Sequence, residues 1–330
     1  MQEYPSADAN VLQPWKIPHV LKGALTWVPP LNAWRRHRAG TGGSDSSRYC
    51  YSVWLRHLRS LDPYGFRIKG AHVGELGPGD SIGIGLAALL SGAANYVGLD
   101  LMPFSAKANL EEILDDLVQL YLNGEPIPRE DEFPAVRPTL DSYEFPGELV
   151  DCSQIAAITG KIRTELRAGL NSGHLVGYRA PWTSLEDVGG GTLDLIFSQA
   201  VLEHVDSLAE TYRAMLAWLK PGGFASHVID FSAHGLSPFW NGHWAYSDWQ
   251  WRLVRGRREF LLNREPLSTH LRYAEKAGFQ VVLLKRDYDS HGLNFQTGRP
   301  GLRVLDVEDA RTRGAILILQ RPLKHSNSRA

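Results

Sequence analysis

Histidines and carboxylates crowd two short stretches of the chain. One holds Ser198 and Gln199 followed by Glu203-His204; the other runs from His227 through Asp230 to His234, with His243 beyond. A histidine held by a carboxylate suits the removal of a proton from an attacking hydroxyl. His204, His227, Asp230 and His234 are therefore the candidate catalytic residues. Strand alternation would turn His227 and Asp230 to opposite faces, which argues against their sharing a metal ion. A third group binds rather than reacts. Gly77 and Gly79 separate a short apolar run from a small-residue run, with Glu75 before them and Asp80-Ser81 after. Glycines admit a ligand close to the backbone, and the helix N-terminus beyond them offers unpaired N–H groups. Asp100, followed by Leu101, ends the next apolar run. An acid about 20 residues after such glycines is placed to accept hydrogen bonds from ribose hydroxyls. The pattern is that of a nucleoside cofactor. It is not the dinucleotide pattern G-x-G-x-x-G, because Ile82 stands where the third glycine belongs.

These residues need strand ends to hold them. Short apolar runs predict strands at 71–76, 96–99, 175–178, 193–197, 224–229, 279–284 and 315–319. Helical spacing of apolar residues predicts helices at about 47–61, 83–91, 105–122, 154–170, 207–219 and 268–277. Alternation of the two types predicts an α/β fold with ligands at the carboxyl ends of the strands. Residues 123–143 carry Pro126, Pro128, Pro134 and Pro138 and read as a rigid, irregular excursion.

The string Glu75-x-Gly77-x-Gly79 resembles the first motif of class I S-adenosylmethionine (SAM)-dependent methyltransferases. The run from Leu193 to Val205 is similar to the family's fourth strand and following turn, and Leu219-Lys220-Pro221-Gly222-Gly223 to the turn into its fifth. The resemblance implies a Rossmann-like fold, with a seven-stranded, mostly parallel sheet whose strand seven is antiparallel. It also implies SAM as cofactor, with Glu75 facing its methionine end and Ser198 and Gln199 beside it. Many members bond the adenine amino group with an acid just after strand three. No acid stands at Ala180 to Trp182, and Trp182 is the candidate to stack on the ring, beside the alternative of a core tryptophan. Helices before the first strand often cover the cofactor in this family, which makes Tyr49 a candidate acceptor contact. The Glu203-His204 turn resembles that of ubiquinone-pathway O-methyltransferases, where a further glutamate three residues earlier helps hold magnesium. Here that position is Ala200, so no metal is expected. The segments 48–58, 75–83 and 226–230 together resemble uncharacterised bacterial methyltransferases of surface-polysaccharide gene clusters, a likeness that covers most of 40–290. It implies O-methylation of a saccharide or other small hydroxylated acceptor. Trp240, His243, Trp244 and Arg264 are the expected contacts for such an acceptor; a dimer interface or a local core is the alternative for the tryptophans. N- or C-methylation of a small metabolite, and a scaffold without catalysis, also stay open.

The bulk numbers set the frame. A chain of 330 residues with 43% hydrophobic content can bury a substantial core. Expected are a helical extension or lid at 1–65, a SAM-binding domain at 66–322 with insertions at 123–173, 231–265 and 287–313, and a tail at 323–330. Lys plus Arg is 35 against 36 for Asp plus Glu, which gives no basic field for nucleic acid. Cys50 and Cys152 lack metal spacing and suit a reducing compartment. No apolar run approaches the roughly 18 residues of a membrane span, and the N-terminus lacks signal-peptide features. A cytoplasmic protein is expected. The stretch 15–34 and the basic cluster 35–38 leave two options open, peripheral contact with an anionic membrane and packing on the domain or in a homodimer.

Overall fold

The computed structural model describes residues 17–27, 43–103, 108–182, 186, 188–258, 260–293, 295 and 305–323. The basic cluster 35–38 and most of the tail lie outside them. In chain order come α1 (Ile17–Leu25), α2 (Ser47–Leu61), β1 (His72–Leu76), α3 (Gly83–Leu90), β2 (Asn95–Leu99), α4 (Leu110–Leu122), α5 (Ile155–Ala168) and β3 (Val176–Arg179). They are followed by β4 (Leu193–Gln199), α6 (Leu208–Trp218), β5 (Leu219–Asp230), α7 (Asp248–Arg255), α8 (Leu267–Ala277), β6 (Gln280–Tyr288), α9 (Val307–Arg311) and β7 (Thr312–Gln320).

The seven strands form one sheet in the order β3-β2-β1-β4-β5-β7-β6. β1 to β5 are parallel, and β7 runs antiparallel to both β5 and β6. This is the expected fold class. The order reverses between β1 and β4, the place where open α/β sheets hold ligands. Apolar residues of α2, α3, α4 and α5 pack on one face of the sheet, and those of α6 and α8 on the other.

α3 is not amphipathic, since all eight of its residues are buried. Its glycines are set by packing. A Cβ on Gly83 would lie 2.6 Å from the Cys50 sulfur of α2, and one on Gly85 only 2.2 Å from the Tyr96 ring of β2. α2 is buried almost all round as well, Arg56 included. Its guanidinium donates to the carbonyls of Pro128 (2.8 Å) and Pro138 (2.6 Å) and pairs with Glu130 at 2.9 Å. With Tyr51 on the Glu125 carbonyl, Ser52 on the Pro128 carbonyl and Arg48 on Glu132, it fastens the proline-rich excursion to the helix.

Several boundaries differ from expectation, among them the start of α4, at Leu110, and the end of β4, at Gln199. β5 starts at Leu219 because Pro221-Gly222-Gly223 is carried as an irregularity, with Leu193 paired to Leu219 but Leu195 to Phe224. β6 runs to Tyr288 and β7 starts at Thr312, so the ends of the 287–313 segment are sheet. α1 lies against α7 of the 231–265 insertion, where a Cβ on Gly23 would meet the Leu253 carbonyl at 2.0 Å. No helix among the described residues is long and apolar enough to cross a membrane.

Candidate active site

After β1 the chain turns into α3 through Gly77 (φ 61°) and Gly79 (φ 73°), in the left-handed region that favours glycine. A Cβ on Gly77 would also fall 2.8 Å from both methyls of Val201, so this turn abuts the one after β4. Asp100, just beyond β2, accepts the N–H groups of Leu101 at 2.7 Å and Gly79 at 3.3 Å. Burial pushes its pKa up to about 6 against those donors. Leu101 beside it is 44% exposed. Trp182, beyond β3, donates its backbone N–H to the Asp100 carbonyl (3.0 Å), and its ring packs edge-on against Trp218 at 5.4 Å.

Two expected ligand contacts are engaged inside the protein. Glu75 is 1% exposed and accepts the Tyr96 hydroxyl at 2.6 Å. Burial raises its pKa to about 8, against the Tyr96 bond and with the Asp100 charge. It braces the turn from beneath rather than standing open beside a ligand. The Ser81 hydroxyl donates to the Ser44 carbonyl and accepts the Gly83 N–H at 2.9 Å, and the Ser81 N–H donates to Ser44 Oγ at 3.0 Å. Ser81 thereby clasps the loop ahead of α2 to the glycine turn. Asp80, half-buried, stands on the same turn.

The second cluster gathers at the ends of β4 and β5. Glu203 and His204 lie in a short 3-10 turn (Leu202–His204) after β4, and Asp230 and His234 follow at the end of β5. One ligand atom from each of Glu203, His204 and His234 lies within 4.8 Å of the other two. His234 Nε2 is 3.2 Å from Asp230 Oδ2, and the two imidazoles meet edge-on at 5.2 Å. Burial acts to raise Asp230, but the His234 ring and Ser232 outweigh it and hold its pKa at about 2. Burial, then His234, lowers His204 to about 4. Burial, then the Asp230 charge, lifts Glu203 well above the usual carboxylate range. Ala200 (φ 53°) and His234 (φ 46°) both take left-handed backbone in the turns that bring these groups together.

His227 is not among them. It projects from the opposite face of β5, is fully buried, and meets Ser198 Oγ through Nδ1 at 2.8 Å. Burial lowers its pKa to about 3. Alternation along β4 and β5 thus removes both His227 and Ser198 from the site. Gln199 stays on the site face, beside His57 of α2. The acceptor contacts divide in the same way. Tyr49 reaches between the two turns, where burial, Cys50 and then the charges of Glu75 and Glu203 raise its pKa. Trp240 and Trp244 are instead fully buried and pack edge-on at 6.1 Å, and His243 packs on Trp244 at 4.4 Å. Trp244 donates to the Arg264 carbonyl (2.9 Å), and Arg264 turns inward to the Tyr246 carbonyl (2.6 Å). These four form a local core, because large indoles gain more from full burial than from lining an open cleft.

His57 escaped the sequence reading. It bonds Ser226 Oγ through Nδ1 at 2.8 Å, and Gln199 is the side-chain partner beside its other nitrogen, which is buried. Its partners, Ser226 and the Phe197 ring, stand on other elements that the spacing of its own helix does not name.

No protein-family model matches the sequence, and no curated protein matches it. Among solved structures, the chain is similar to an S-adenosylmethionine-dependent methyltransferase from Mesorhizobium loti. The identity is 15% and the TM-score 0.40, over 84% of this chain and 100% of that one. It is also similar to a SAM-dependent methyltransferase from Methanosarcina mazei, at 13% identity and a TM-score of 0.38, over 80% and 98% of the two chains. Likeness at this distance says nothing of a cofactor or an acceptor.

Proposed function

We propose that the chain is a SAM-dependent methyltransferase that methylates a hydroxyl of a saccharide or another small acceptor. One juxtaposition carries the reading: the left-handed glycine turn with Asp100 beside it abuts the turn bearing Glu203 and His204. A cofactor seated on the first would present its reactive end to the second.

The residues present fit that cofactor. The Asp100 carboxylate holds the Gly79 N–H by only a long bond of 3.3 Å, so a ribose hydroxyl can compete for it. Exposed Leu101 and half-buried Trp182 would flank the base, and the N–H groups of the glycine turn would face the polar end. When bound, SAM supplies a methyl group already activated on a sulfonium. The protein must then align an acceptor, exclude water and take one proton. Asp230 orients the His234 ring, and this pair receives the proton as the acceptor oxygen attacks. Tyr49 of α2 covers the space between the two turns. The saccharide class rests on the sequence resemblance alone. An amine acceptor is the second reading, favoured by the buried Glu203 carboxylate, which would hold an ammonium group.

Calorimetry with S-adenosylhomocysteine, followed by turnover of SAM with hydroxylated acceptors, tests the reading. Saturable binding of the product cofactor is expected. Tight binding of NAD with none of S-adenosylhomocysteine would overturn it.

A further inference from the structure

Glu203 is the anomaly of the second cluster. Its side chain is 2% exposed, no side-chain donor meets either carboxylate oxygen among the described residues, and only the backbone N–H groups of Glu203 itself and Asp230 approach them. No lysine or arginine pairs with it among those residues. A buried carboxylate left so must be neutralised or meet a cation. What faces it is imidazole. His204 Nδ1 is buried and likewise without a side-chain hydrogen-bond partner, and His234 approaches from the other strand end.

We propose that Glu203, His204 and His234 hold a divalent transition-metal ion, zinc being the first candidate, with Asp230 orienting His234 behind it. Two imidazole nitrogens and one carboxylate oxygen suit zinc, manganese or iron better than magnesium. Zinc sites with two histidines and a glutamate keep a fourth position open for water or substrate. The surrounding bonds match what metal-bound histidines need. The Phe260 backbone holds the His204 ring, and Asp230 fixes the His234 ring. Zinc bonds of about 2.1 Å place tetrahedral donors about 3.4 Å apart. The three ligand atoms, now within 4.8 Å of one another, would draw in by roughly an ångström. The metal-free expectation counted ligands along one turn, where Ala200 breaks the set. The third ligand comes from the end of β5. The inference rests on the proposed function only for the ion's task, which is to coordinate and acidify the acceptor hydroxyl; His234, with one ring nitrogen on Asp230 and the other on the ion, then no longer takes the proton, and the acidified hydroxyl releases it to water.

The test uses the full chain, stripped with chelator and titrated with cobalt(II), whose visible absorption reports its ligand geometry. One equivalent should bind with a tetrahedral or five-coordinate spectrum, and one equivalent of zinc should displace it. Glu203→Gln and the more exposed His234→Ala should each weaken cobalt binding at least tenfold, and Asp230→Asn by about 10- to 100-fold. The remote His174→Ala should leave it unchanged. Absent or weak cobalt binding by the wild type, or binding that Glu203→Gln and His234→Ala leave intact in folded protein, overturns the inference. S-adenosylhomocysteine calorimetry on the same samples separates the two readings. Cofactor binding without cobalt sinks the metal site alone; cobalt binding without cofactor sinks the methyltransferase reading alone.

Discussion

Glu75 carries a pH dependence that can be worked out by sign. Burial above all pushes its pKa in the folded protein up to about 8, from an ordinary value of 4.5. As pH rises above 4.5 the unfolded chain releases this proton while the folded protein keeps it, so stability falls. The loss is complete above about pH 8, where the folded form ionises as well. Glu75→Gln keeps an acceptor for the Tyr96 hydroxyl and removes the titration. Its stability should overtake that of the wild type between pH 5 and 8, by on the order of a few kcal/mol. Urea unfolding at several pH values checks this, and parallel curves for the two proteins would refute it. Asp100→Ala removes the proposed ribose acceptor and should weaken S-adenosylhomocysteine binding by about 1 to 3 kcal/mol, read by calorimetry. His234→Ala should lower turnover by about 10²- to 10⁴-fold with cofactor affinity kept. Normal turnover by that variant would place the base elsewhere.

At the scale of elements, α3 and α2 each carry a residue whose replacement should act against simple propensity. Gly→Ala within a helix ordinarily gains about 1 kcal/mol. Gly85→Ala should instead destabilise by about 1 to 3 kcal/mol, because the Tyr96 ring 2.2 Å from the new Cβ is anchored to Glu75 and cannot yield. Arg56→Met leaves the Pro138 carbonyl without its donor, at roughly 1 to 3 kcal/mol, and the Pro128 carbonyl with the Ser52 hydroxyl alone. Limited proteolysis should then cut within 123–143, a segment the wild type protects. These contacts also mark where sequence reading stops. Glycine at 77 and 79 announced its turn because left-handed backbone needs that residue type. Glycine at 85 answers to a tyrosine on another element, and Arg56 answers to carbonyls more than 70 residues away. Neither partner is written in the local pattern.

For the whole molecule, the seven strands were legible because each contains a short apolar run; their order in the sheet was not, and the antiparallel seventh strand came only with the family resemblance. The pairing of Asp230 with His234, and their meeting with Glu203, depends on how two turns close in space. The left-handed residues Ala200 and His234 direct those turns, and no residue preference foretells them. The tryptophans of the 231–265 insertion were open to both burial and display; their partners in the core, such as the Arg264 carbonyl, decided for burial. The strand order has a further consequence for biosynthesis. β6 joins the sheet only through β7, which is made after it, and β7 also covers the outer edge of β5 from Phe224 to Asp230. A nascent chain on the ribosome therefore carries an uncovered sheet edge and a loose strand until residue 320 has emerged. Such edges invite pairing with other chains. This protein's demand on chaperones should last until β7 has been made and paired.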